Sequence, residues 1–108
     1  MKVVIQQGEH VNRNDIESFL KMVPAPWLKA IKGITIYESI SEIFKIEYYA
    51  KTKILGVHIS RNYEGKQEDS FEKIAVALQA INEFDYLPTK ISRSREKSYI
   101  ENWHQELA

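Results

Sequence analysis

Between residues 34 and 59 the chain alternates apolar and polar side chains in three short runs. Ile34 and Ile36 alternate with Thr35 and Tyr37; Phe44, Ile46 and Tyr48 with Lys45, Glu47 and Tyr49; Leu55, Val57 and Ile59 with Ile54, Gly56 and His58. A period of two sends successive side chains to opposite faces of a pleated strand, so the pattern predicts three strands, each with a core-facing row. The connections, Ser39 to Glu42 and Ala50 to Lys53, are too short to hold a crossover helix, and the spacing therefore predicts an antiparallel meander. A further β-type run, Lys2 to Gln7, ends at Gly8 and is free to join either edge.

Helical patterns flank the strands. Ile16, Phe19, Leu20 and Val23 recur at i, i+3, i+4 and i+7 behind an Asn14-x-x-Glu17 start, and Pro24-Ala25-Pro26 ends the run by removing amide donors. After a polar loop over 62–68, Asp69 or Ser70 is the expected cap of a longer helix whose stripe is Phe71, Ile74, Ala75, Leu78 and Ile81, ending at Leu87-Pro88. A last helix is expected from Ser92 or Ser94, with Tyr99, Ile100, Trp103 and Leu107 on one side. The fold class that follows is α+β. A single domain over 1–108 would hold a small antiparallel sheet of three to four strands, packed by helices 14–23 and 70–86, with the C-terminal helix closing an edge or the second face.

Composition narrows the function classes. Apolar residues are 44% of the chain, which places it outside the disordered class. Lys plus Arg and Asp plus Glu balance at 15 each, so a nucleic-acid role needs a local patch rather than a basic protein. Without cysteine there is no disulfide framework, thiolate metal site or cysteine nucleophile, which suits a reducing compartment. No signal-peptide pattern opens the sequence, and no apolar stretch approaches the ~20 residues that span a bilayer. The expected localisation is cytoplasmic, without a membrane partner.

The order of helix, strands and long helix over residues 14 to 86 resembles the scaffold of the minimal zincin metallopeptidases, whose long helix bears His-Glu-x-x-His. Here the corresponding helix reads Glu72-Lys73-Ile74-Ala75-Val76-Ala77-Leu78-Gln79-Ala80-Ile81. Neither metal-binding histidine is present, nor the base glutamate beside the first. The resemblance therefore implies a non-catalytic relative and transfers no site residue.

Chemistry-bearing motifs are otherwise missing. His10, His58 and His104 fall on a loop, a strand and the last helix, so no two share the i, i+3 or i, i+4 spacing of a helical metal pair. No Gly-x-Ser-x-Gly marks an activated serine, and Gly8, Gly33, Gly56 and Gly65 are isolated rather than grouped into a phosphate cradle. No cofactor is expected, and an enzyme would need a site built from dispersed residues. Two surface features remain. Lys90, Arg93, Arg95 and Lys97 precede Tyr99 and Trp103, a mix of cations and aromatics that suits nucleic acid, although the same two aromatics fit a core-facing stripe. The sheet side opposite Ile36, Phe44, Ile46, Val57 and Ile59 carries Thr35, Tyr37, Tyr49, Ile54 and His58, which is rather apolar for open solvent and marks either a covered face or an interface. The expected function is a non-catalytic protein-interaction or regulatory domain, self-associating through Tyr37, Tyr49, Ile54 and His58. The alternatives are a nucleic-acid-binding accessory protein using Lys90, Arg93, Arg95 and Lys97, and a hydrolase with an unrecognised site.

Overall fold

The computed structural model describes residues 1–6, 12–39, 44–60 and 67–108; Gly8, His10, the 40–43 connection and the 61–66 loop lie outside the described residues. Its strands are β1 (Lys2–Gln6), β2 (Gly33–Ser39), β3 (Lys45–Tyr49) and β4 (Ile54–Ser60). Its helices are α1 (Arg13–Met22), α2 (Gln67–Phe84) and α3 (Arg93–Leu107), with a 3₁₀ turn at Ala25–Leu28. The protein is α+β, with one four-stranded sheet in the order β1-β2-β4-β3.

The sheet is mixed, which corrects the expected meander. β3 pairs antiparallel with β4, as the short 50–53 connection requires, but β4 lies between β2 and β3 and runs parallel to β2, while β1 adds parallel to the other side of β2. A short link forbids a crossover helix but does not force neighbouring places in the sheet. The five residues 40–44 can span up to ~17 Å, whereas stepping over one strand takes about 10 Å. Burial explains which strand takes the centre. Leu55 and Val57 of β4 are fully buried, while Lys45 and Tyr49 at the two ends of β3 are exposed, the pattern of an edge.

The hairpin closes through a left-handed residue, Lys53 at φ 56°, whose N–H donates to the Tyr49 carbonyl at 2.7 Å. At the opposite end of the sheet Gly33 is required for a different reason. A Cβ there would stand 2.8 Å from the Lys2 carbonyl oxygen and force β1 away from β2.

All three helices pack on one face. The core joins Ile34 and Ile36 of β2 and Leu55 and Val57 of β4 to Ile16 and Phe19 of α1, Ile74, Leu78 and Ile81 of α2, and Trp103 of α3. α1 is capped by Asn12, whose side chain accepts from the Asn14 amide at 2.8 Å, so the cap lies two residues before the expected Asn14. α2 begins at Gln67, earlier than Asp69 or Ser70, with Glu68 and Asp69 in the first turn where the dipole favours acids. Ser92 caps α3, as its position suggested, by accepting from the Arg95 amide at 3.3 Å.

The C-terminal helix joins this helical layer and leaves the second sheet face alone. Trp103 meets the Phe19 ring edge-on at 5.3 Å and lies 6.4 Å from the Trp27 ring. Buried Gln79 of α2 donates to the Tyr99 carbonyl at 2.8 Å and accepts from the Asn102 amide at 2.9 Å, which fixes α3 along α2. Among the described residues no helix is long and apolar enough to cross a membrane.

Candidate functional site

The face of the sheet away from the helices is laid out by strand register. One row across it reads Gln6, Tyr37, His58, Lys45; the next Val4, Thr35, Gly56, Glu47; the third Lys2, Gly33, Ile54, Tyr49. None of these residues belongs to the core cluster. Tyr37, Tyr49, Ile54 and His58, expected to share a face from alternation alone, do so.

Their side chains form a connected group. The Tyr37 and His58 rings stack at 4.7 Å with a 14° tilt between planes. Glu47 is the hub: Tyr49 Oη donates to its Oε2 at 2.5 Å, His58 Nε2 lies 3.3 Å from the same oxygen, and Lys45 Nζ stands 2.7 Å from Oε1. The hydrogen bond from Lys45, followed by that from Tyr49, pushes the Glu47 carboxyl down to about 2, and the reciprocal bond pushes the Tyr49 phenol up to about 12. Gly56 is the space over which the rings lie. A Cβ there would be 3.1 Å from Tyr49 Cε2 and 3.5 Å from Tyr37 Cε2.

A general acid or base works best with a pKa near the operating pH, and here the carboxyl and the phenol are both driven away from neutrality. The group presents the stacked Tyr37 and His58 rings, the Tyr49 ring, which is 42% exposed, and the Lys45–Glu47 ion pair. The central role of Glu47 was missed in the sequence. Its only signal was its place between Lys45 and Tyr49 on the outward row of β3.

The basic run is divided by the helix that carries it. Arg95 turns onto α2, where it pairs with Glu83 and lies 4.8 Å from the centre of the Phe84 ring, and Tyr99 Oη donates to the same Glu83 carboxylate. The Tyr99 and Arg95 bonds hold that carboxyl below its usual range, while burial and Glu83 raise the Tyr99 phenol. Arg93 and Lys97 lie around the helix from Arg95, along a shallow groove shared with Glu96 and Glu101, and Lys90 sits in the preceding link. Tyr99 and Trp103 are 6% and 3% exposed, so neither offers a ring for a base to stack on.

His58 lies on the outer sheet face and His104 on the helical side, 3.5 Å from Glu72, so these two histidines do not meet. Among the described residues no three potential metal ligands of the His, Cys, Asp and Glu types converge. Compared with known proteins, the chain matches no family model, no curated protein and no solved structure.

Proposed function

We propose that the protein is a non-catalytic interaction domain, working in the cytoplasm, that self-associates through the outer face of its sheet. One observation carries this reading: α1, α2 and α3 all pack on one side of the sheet, and the other side bears a prearranged Tyr37, Glu47, Tyr49 and His58 surface. Stacked and hydrogen-bonded rings have already lost much of their side-chain freedom, so burying them against a partner costs less entropy. Tyrosine also supplies a wide apolar ring with a hydroxyl that tolerates a wet rim. A second copy is the simplest partner, because a two-fold axis presents the same patch on both sides. The nucleic-acid reading loses its support in the burial of Tyr99 and Trp103 and the engagement of Arg95 with Glu83.

The test is sedimentation velocity at micromolar concentration on the wild type, Tyr37→Glu and Tyr49→Glu. Each substitution places a second carboxylate beside Glu47 or His58 while leaving the core row untouched. The expected result is a wild-type dimer weakened in both variants, with circular dichroism unchanged. A wild-type monomer, or dimers indifferent to both changes, overturns the reading.

A further inference from the structure

The two edges of the sheet are treated differently. On β1, the Lys2 N–H bonds inward to the Lys32 carbonyl, so by alternation the Val3 carbonyl points outward, and Arg13 Nη1 covers it at 2.7 Å. β3 is the last strand on the opposite side. The Lys53 carbonyl accepts from the Lys32 N–H on the β2 side, which sends the backbone groups of Leu55 and Val57 to β2 and those of Ile54, Gly56 and His58 to β3. Tyr49, Glu47 and Lys45 are therefore the residues bonded to β4, and the N–H and C=O groups of Ile46 and Tyr48 point away from the sheet.

We infer that β3 pairs antiparallel with β3 of a second copy, with Ile46 on the two-fold axis. Backbone alternation admits only registers that set outward residues opposite one another. Centring on Ile46 places Ile46 against the partner's Ile46, Phe44 against the partner's Tyr48, and Lys45 against the partner's Glu47 twice over. Centring on Lys45 or Glu47 instead opposes two like charges, which is destabilising, and centring on Phe44 or Tyr48 slides Lys45 beyond the partner's strand. Charge thus selects one register. It also completes the burial of Phe44, Ile46 and Tyr48, each half-buried at the rim of the core. Lys45 already neighbours Glu47 of its own strand, so pairing extends that couple into an alternating row of four charges. Two four-stranded sheets become one of eight strands, with the outer-face patch doubled on a single surface. The contact lies on the strand edge; Lys45 and Glu47 belong to both surfaces, so the outward amides of Ile46 and Tyr48 are what tell the edge from the outer face.

Amide hydrogen exchange on the wild-type protein tests it without mutation. The Ile46 and Tyr48 amides should exchange more slowly as protein concentration rises from micromolar to millimolar, while the β4-bonded Glu47 amide changes little. A mixing experiment fixes the register. Lys45→Glu and Glu47→Lys should each weaken self-association about tenfold through two like-charge contacts per dimer, and an equimolar mixture should recover it as a heterodimer. Concentration-independent exchange at Ile46 and Tyr48 overturns the proposal, and a mixture no more associated than its components overturns the register. Exchange in Tyr37→Glu separates this contact from the outer face: slowing at Ile46 and Tyr48 that survives the substitution belongs to the edge alone.

Discussion

At the scale of residues, Glu47 is where charge, hydrogen bonding and titration meet. Its carboxylate accepts from Tyr49 and neighbours Lys45 and His58, and its folded pKa is pushed down to about 2 from an ordinary value of 4.5. A depressed carboxylate contributes stability that is fully present above the unfolded value and is lost as pH falls through the folded one. The difference in stability between wild type and Glu47→Gln should therefore be constant from neutrality to about pH 5, then shrink toward pH 2. Its size should be about 1 kcal/mol or less, because the side chain is 32% exposed and solvent screens the pair. The Tyr49 phenol mirrors this: its raised pKa means the same bond is retained below pH 10 and lost toward about 12. Urea melts at dilute protein concentration across pH 2 to 7 measure the acid limb, and a difference that persists unchanged at pH 2 would refute the assignment.

At the scale of elements, α3 buries two large side chains, Tyr99 and Trp103. Trp103 is 3% exposed between Phe19 and Trp27, and Tyr99 is anchored through its hydroxyl to Glu83. Trp103→Ala should cost about 3–5 kcal/mol by emptying that space, with a matching drop in melting temperature in calorimetry; a cost under ~1 kcal/mol would mean that α3 docks by other means. The Tyr99 and Trp103 spacing was legible in the sequence, as was the stripe of Ile74, Leu78 and Ile81, because a helix writes its buried side at a period of 3.6. The two faces of the sheet were legible for the same reason at a period of two. Strand order was not, since alternation says which way a side chain points and nothing about which strand lies beside it. The unbroken burial of Leu55, Gly56 and Val57 is what a central strand requires, and the charges of Lys45 and Glu47 are what an edge tolerates. That contrast was present in the sequence, but the short connection read as Ser39 to Glu42 suggested neighbouring pairing instead. The Glu47 network also escaped, because it joins β3 to β4 and β2 through a register that only the folded sheet fixes.

At the scale of the whole molecule, asymmetry is the organising fact. Among the described residues, one side of the sheet carries every helix, and the other carries polar and aromatic side chains already bonded to each other; on one edge the Val3 carbonyl accepts from Arg13, and the other edge is β3. A net charge of zero adds no long-range repulsion between copies, so the short-range matching of Lys45 with Glu47 and of ring with ring decides whether they meet. If copies bind only in the folded state, association is linked to folding, and mass action stabilises the native form as concentration rises. Unfolding then requires dissociation as well, and once most molecules are dimeric each tenfold increase in protein adds about 1.4 kcal/mol per dimer. For a domain near this size that corresponds to a rise in melting temperature of a few degrees per decade of concentration. The expected observation by scanning calorimetry is a melting temperature that is flat below the dimer dissociation constant and climbs above it. In Lys45→Glu the climb should start at about tenfold higher concentration. In the equimolar mixture of Lys45→Glu and Glu47→Lys it should return to the wild-type position. A wild-type melting temperature that stays constant from micromolar to millimolar would show that folding and association are uncoupled, and that the outer face and the β3 edge both remain in water.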